Sequence, residues 1–207
     1  MSQQPRVLLT AFEPFVGNGG VRVDPNPSHA AVMEALHELA ETLPSLAVHV
    51  AVLPVSFRRT REALDALFVE VRPTVFVGVG AAIGRPRVEV EMVGVNLEHA
   101  TGSDADGDVP TLRPIEPGAP LALPSPPRLS NLVIDLAADG HPIGASVHAG
   151  TFLCNQVLYL GLLRAQAGAL EAAFVHVPAA DVVPSAVAGF LVSRVVRELT
   201  GLAAATS

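Results

Sequence analysis

IGASVHAGTFLCNQVLYLGLL, residues 143–163, reads as an apolar strand (Ile143 to His148), a turn of small residues, and an apolar helix running from Thr151 to Ala165. Working outward, Leu129 to Ala138 has helical spacing, Ala172 to Val177 is a short apolar strand, and Pro184 to Leu202 is a closing helix. The amino-terminal half shows the same alternation. Arg6 to Phe12 is a buried strand, followed by a Gly/Pro/Asn-rich loop from Glu13 to Ser28. A helix then carries Val32, Leu36 and Leu39 on one face, with Asn26-Pro27 as its N-cap and first position. Leu46 to Leu53 is a second strand. Ser56 caps a helix that points Leu64, Leu67, Phe68 and Val71 inward, and Pro73 to Val79 is a third strand, apolar on both faces. Val88 to Leu97 alternates like an exposed strand or hairpin arm. Residues 98–127 are rich in Gly, Asp and Pro with little periodicity, as in a functional or mobile loop. No repeat or linker divides the chain. The expectation is a single α/β domain over residues 1–207, a sandwich with a twisted, mostly parallel mixed sheet flanked by helices.

Composition narrows the function. Half of the residues are hydrophobic and 16% are charged, which suits a folded globular chain with a sizeable core. A formal charge of −7 argues against a nucleic-acid partner, which would require a basic surface. All 13 basic residues are Arg, so Schiff-base lysine, P-loop lysine and Ser–Lys chemistry are excluded. The longest run free of acidic and basic residues, Gly140 to Leu163, contains His141, Pro142, His148, Asn155 and Gln156. It is therefore a poor membrane span, and no membrane partner is expected. Residues 1–4 lead straight into a strand without signal-peptide features, so a reducing, cytoplasmic setting is expected.

Cys154 is the only cysteine. A lone thiol forms neither an intramolecular disulfide nor a multi-cysteine metal site, so it is either a nucleophile or a buried apolar filler. Its place at a strand-to-helix turn exposes it to the helix's partial positive charge, which favours thiolate. Ala149 and Gly150 leave room for a substrate, and Asn155 adds a polar group that a plain core site would not need. A cysteine nucleophile also needs a base and a group that orients the base. Of seven histidines, His29, His37 and His49 read as surface, His99 and His141 lie in loops, and His148 ends the strand ahead of Cys154. His176 ends an apolar strand before Pro178, at the carboxyl edge where α/β folds build their sites. The third group is Glu89 or Glu91. Strand period points both to one face and does not choose between them.

These segments together resemble the pyroglutamyl peptidases (pyrrolidone carboxyl peptidases), cysteine peptidases that remove an N-terminal pyroglutamate. Residues 149–155, AGTFLCN, resemble the family's nucleophile motif, and His176-Val177-Pro178 its histidine motif. Leu8 to Phe15 is similar to its "TGFxPF" opening, Asn26-Pro27-Ser28 to its "NPS", and Gly80 to Leu97 to its "GxAGGR…ERVAIN" stretch. The resemblance implies a Cys154–His176–Glu91 triad, thereby selecting Glu91. It also implies a thioacyl intermediate and a lactam pocket formed by Phe12, Phe15, Asn26, Ala81 and Leu153. No metal or cofactor is implied, and the family commonly assembles as a tetramer. Departures are Ala11, Val16 and Ile83 where the family has glycine, Ala81 in place of Gln, Met92 in place of Arg, and Thr101 where many members carry an Arg near the oxyanion. That last role is unassigned in this chain.

Two other readings remain, neither of which accounts for Cys154 and His176 together. One is a non-catalytic protein of the same fold that binds pyroglutamyl peptides. The other is a nucleoside phosphorylase-like enzyme, for which the Gly80–Arg85 loop is the only candidate phosphate cradle.

Overall fold

Strand β1 (Arg6–Phe12) divides the core by its pleat: Val7, Leu9 and Ala11 face one hydrophobic cluster, Leu8 and Phe12 the other. The computed structural model describes residues 4–17, 20–168 and 170–202, so the opening residues read as a lead-in lie partly outside the described residues. The further strands of the main sheet are β4 (Ala47–Leu53), β5 (Val75–Ala81), β6 (Val88–Glu91), β9 (Ile143–Ser146) and β10 (Glu171–Val177). Their order is β4-β1-β5-β10-β6-β9. All neighbouring pairs are parallel except β10 and β6, so the expected mixed, mostly parallel α/β architecture is what the chain adopts.

Helices α1 (Pro27–Thr42), α3 (Arg128–Ala138) and α5 (Ser185–Thr200) cover one face of the sheet. Helices α2 (Phe57–Val71) and α4 (Leu153–Gln166) cover the other. The two sequence-read caps are in place: Asn26 accepts from Ser28 N, and Ser56 accepts from Arg59 N. Helix α4 buries Leu153 and every residue from Asn155 to Leu162, so it is an interior helix and has no solvent stripe.

Its approach to the sheet depends on glycine. A Cβ on Gly78 would lie 2.6 Å from the Phe174 ring, one on Gly161 2.6 Å from the Phe76 ring, and one on Gly80 2.8 Å from Cys154 Sγ. A side chain at Gly80 or Gly161 would push α4 off β5, and one at Gly78 would first displace the Phe174 ring on β10.

Two expectations are corrected. Val88 to Leu97 is not an exposed arm. It breaks at Met92 into β6, which is internal in the sheet between β10 and β9, and β7 (Val93–Val95), which leaves to pair with β8 (Ala122–Pro124). Alternation misled because one face of β6 carries Val88 and Val90 into the core, while its glutamates face partners that the local sequence does not show. The loop from Glu13 to Ser28 also contains a short hairpin, β2 (Phe15–Val16) against β3 (Arg22–Val23).

Candidate active site

The pleat that sorts the core also gathers the polar groups. On β10, Ala172 and Phe174 pack on the α4 side while Ala173, Val175 and Val177 pack on the other, so His176 points toward α4. On β6, Val88 and Val90 face away from α4, which turns Glu89 and Glu91 toward it. Cys154, the second residue of α4, closes the group.

Glu91 is fully buried and His176 is 4% exposed. His176 Nδ1 lies 2.6 Å from Glu91 Oε1, which leaves Nε2 as the ring nitrogen free to serve the Cys154 sulfur, close enough for the ring to feel its charge. Phe174 packs edge-on against the imidazole with ring centroids 5.0 Å apart. Burial pushes the His176 pKa down, but the neighbouring Cys154, followed by Glu91, outweighs it and raises it to about 9. Burial likewise pushes Glu91 up, yet His176, Ser146 and Arg85 together hold its carboxyl below the ordinary value. The Ser146 hydroxyl lies near enough to favour that charge without forming a hydrogen bond of good geometry. It leans toward His148 O at 3.5 Å, and Glu91 Oε2 has no hydrogen-bond partner.

The turn before α4 is shaped for access. Gly150 has φ +80°, a left-handed conformation that favours glycine. The N-cap Phe152 makes no side-chain capping bond, so the N–H groups of Leu153 and Cys154 open the helix without intrahelical acceptors. A cleft of about 1230 Å³ reaches Cys154, and Phe12, Phe15, Asn26, Ala81 and Leu153 all line it. Their parts differ. Phe12 and Phe15 are ring walls. Asn26 is consumed structurally: its Oδ1 accepts from Ser28, and its Nδ2 donates to Glu13 O at 2.9 Å. Ser28 Oγ in turn accepts from Phe12 N, so the NPS segment sets the Phe12 backbone. Thr101 and Ile83 line the same cleft. A second cavity of about 780 Å³ lies near the ends of α1 and α5, away from Cys154.

Other sequence-read residues stand elsewhere. His148 is exposed, and only its backbone is engaged: its carbonyl accepts from Arg85, and its N–H donates to Ser146 Oγ at 3.2 Å. Asn155 does not serve the thiol: it accepts from Val95 N and donates to Val95 O and Leu97 O, stapling the chain after β7 to α4. His99 lines the cleft and is tied to Thr151 by its backbone. Sequence alone gave no role to Arg85, whose Nη1 reaches Glu89 at 2.5 Å and Glu91 at 2.8 Å. An arginine four and six residues before two same-face strand glutamates is the pattern that marks it. With its guanidinium so committed, the Gly80–Arg85 loop has no free cation for a phosphate.

The family model for pyroglutamyl peptidase matches residues 5–197. This chain belongs to that family. It is 38% identical to the pyrrolidone-carboxylate peptidase of Streptomyces coelicolor over 211 residues, covering 97% of this chain and 93% of that one. It is 35% identical to the Thermococcus onnurineus protein of the same name over 175 residues, 84% and 83% of the two chains. Among solved structures, the Thermococcus litoralis pyrrolidone carboxyl peptidase superposes with a TM-score of 0.81 at 27% identity, covering 96% of this chain and 94% of that one. The Thermus thermophilus enzyme superposes with 0.79 at 32% identity, covering 93% and 99%.

Proposed function

We infer that this chain is a pyroglutamyl peptidase that hydrolyses the bond after an N-terminal pyroglutamyl residue, with Cys154 as nucleophile, His176 as acid and base, and Glu91 as its orienting carboxylate. The observation that carries this reading is the convergence of a lone cysteine, a buried imidazole close enough to feel its charge, and a buried carboxylate 2.6 Å from the imidazole's Nδ1. The thiolate adds to the carbonyl carbon, and the oxyanion is met by the free N–H groups at the start of α4. His176 Nε2 passes its proton to the departing amine, which breaks the C–N bond and leaves a pyroglutamyl thioester. Nε2 then takes a proton from water, which attacks the thioester and releases pyroglutamate and the thiolate.

The substrate class follows from the cleft. Pyroglutamate has no charged α-amine, and Phe12 and Phe15 suit a neutral lactam ring. A free glutamate or glutamine N-terminus would have to desolvate its ammonium there. Peptides beginning with pyroglutamate are therefore the expected partners, within one catalytic domain spanning the chain. Assembly as a tetramer and a reducing, cytoplasmic setting complete the proposal. Among the described residues, no helix is long and apolar enough to cross a membrane. A pyroglutamyl-anilide reporter tests the reading: wild type releases the dye, and a purified, folded chain that releases none sinks it.

A further inference from the structure

The geometry points to Arg85 as the positioning residue of the triad: it holds the same Glu91 oxygen that His176 engages and sets the charge that the thiolate–imidazolium pair experiences. This inference deepens the peptidase reading and rests on it. Glu91 Oε1 receives both His176 Nδ1, at 2.6 Å, and Arg85 Nη1, at 2.8 Å, while Oε2 has no hydrogen-bond partner. Among the described residues, Arg85 is thus the one hydrogen-bond donor besides the imidazole that fixes the carboxylate. Its other contacts fall on separate elements: Nη1 to Glu89 Oε2 at 2.5 Å on β6, and Nη2 to His148 O at 2.9 Å in the turn leading to Cys154. Its own loop begins at Ala81 in the cleft wall and is held by Ala82 N donating to Val177 O, one residue past His176. One guanidinium therefore joins the acid, the nucleophile's turn and the cleft wall, a geometry that its planar fork allows and a single ammonium does not.

Its charge matters as much as its shape. His176 faces Cys154 on α4 and Glu91 on β6. Beyond them stand Glu89, paired with Arg85 and with Arg87 at 3.5 Å, while the cleft side adds His99 and Asp104. Arg85 offsets the negative charge of Glu89 and Glu91. Without it, the negative charge facing the thiolate–imidazolium pair is uncompensated, so both limbs of the activity profile move to higher pH.

The test uses Arg85→Met, Arg85→Lys and Glu89→Gln in the full chain, with two readouts. One is kcat and KM on a pyroglutamyl-anilide across pH. The other is the pH dependence of iodoacetamide alkylation, which reports Cys154 alone because the chain has no other thiol. Arg85→Met lowers kcat by about 10–100-fold with KM changed by less than about threefold, as loss of alignment does. It also raises the alkylation midpoint by roughly half a pH unit or more. Arg85→Lys keeps the midpoint and loses kcat; Glu89→Gln moves the midpoint down. An Arg85→Met alkylation profile superimposable on wild type, or shifted to lower pH, overturns the assignment. If Arg85→Met lacks a cooperative melt, Glu89→Gln decides, and an unmoved midpoint overturns it. Should wild type fail to cleave the anilide while the alkylation midpoints shift as stated, the peptidase reading fails and the positioning role stands.

Discussion

At the amino edge of the sheet, Arg6 donates to Val71 O at 3.2 Å and to Arg72 O at 2.7 Å, and Arg128 donates to Glu198 O and Leu199 O at 3.3 Å. These cations meet the carboxyl-terminal turns of α2 and α5, where unpaired carbonyls and the negative end of the helix dipole welcome them. At the carboxyl edge the charges are turned on each other instead, with Glu91 on His176 and His176 on Cys154, under the positive end of α4. The first arrangement completes helix ends in partial contact with water. The second buries Glu91 and His176, which would be expensive alone and are held by pairing with each other and with Arg85. One sheet therefore carries a structural edge and a reactive edge. Substitutions at the two should separate stability from chemistry.

The separation is broken or sharpened by four substitutions. Cys154→Ala at the reactive edge has the largest expected effect, a fall in kcat/KM of about 10⁴-fold or more on a pyroglutamyl-anilide, with the fold retained by circular dichroism. Glu91→Gln comes next, with a loss of about 10²–10⁴-fold, because the amide no longer sustains the imidazolium. It also carries a pH signature. With its pKa raised to about 9, His176 keeps its proton well above the ordinary imidazole range, so the alkaline fall of wild-type kcat/KM is centred near 9. Loss of the Glu91 charge lowers that pKa, and the fall moves to lower pH. Gly80→Ala is smaller. Its Cβ would sit 2.8 Å from both Cys154 Sγ and the Phe174 ring, so the thiol is displaced, kcat drops by about tenfold, and the melting temperature falls as in other overpacked cores. At the structural edge, Arg128→Ala has the least effect. Its half-exposed contacts are worth about 1 kcal/mol or less, seen as a slightly lower denaturation midpoint, while kcat/KM stays within about twofold of wild type. A large activity loss in Arg128→Ala would erase the distinction between the edges.

Much of the reactive edge was legible in the sequence because it is local. The strand–turn–helix around Cys154, the strand ending at His176, and the caps at Asn26 and Ser56 each follow from a few consecutive residues. What escaped is what the sheet decides at long range. The choice of Glu91 over Glu89 needed a family resemblance. In the structure, β6 lies antiparallel to β10, with Glu89 opposite His176 in register, yet it is Glu91 that reaches the ring. Val88 to Leu97 read as an exposed arm because its alternation is real, but its glutamates face Arg85 and His176 rather than water. Asn155 looked like a companion to the thiol and is a staple for residues 95–97, because a helix turns successive side chains about 100° apart.

Acid quenching of wild-type protein during turnover of a pyroglutamyl ester, followed by peptide mapping by mass spectrometry, tests the central claim most directly. The account predicts a pyroglutamyl thioester on the peptide carrying Cys154, present in wild type and absent in Cys154→Ala, which also fails to turn over. Undiminished hydrolysis by Cys154→Ala, or a pyroglutamyl adduct on any other residue, would contradict it.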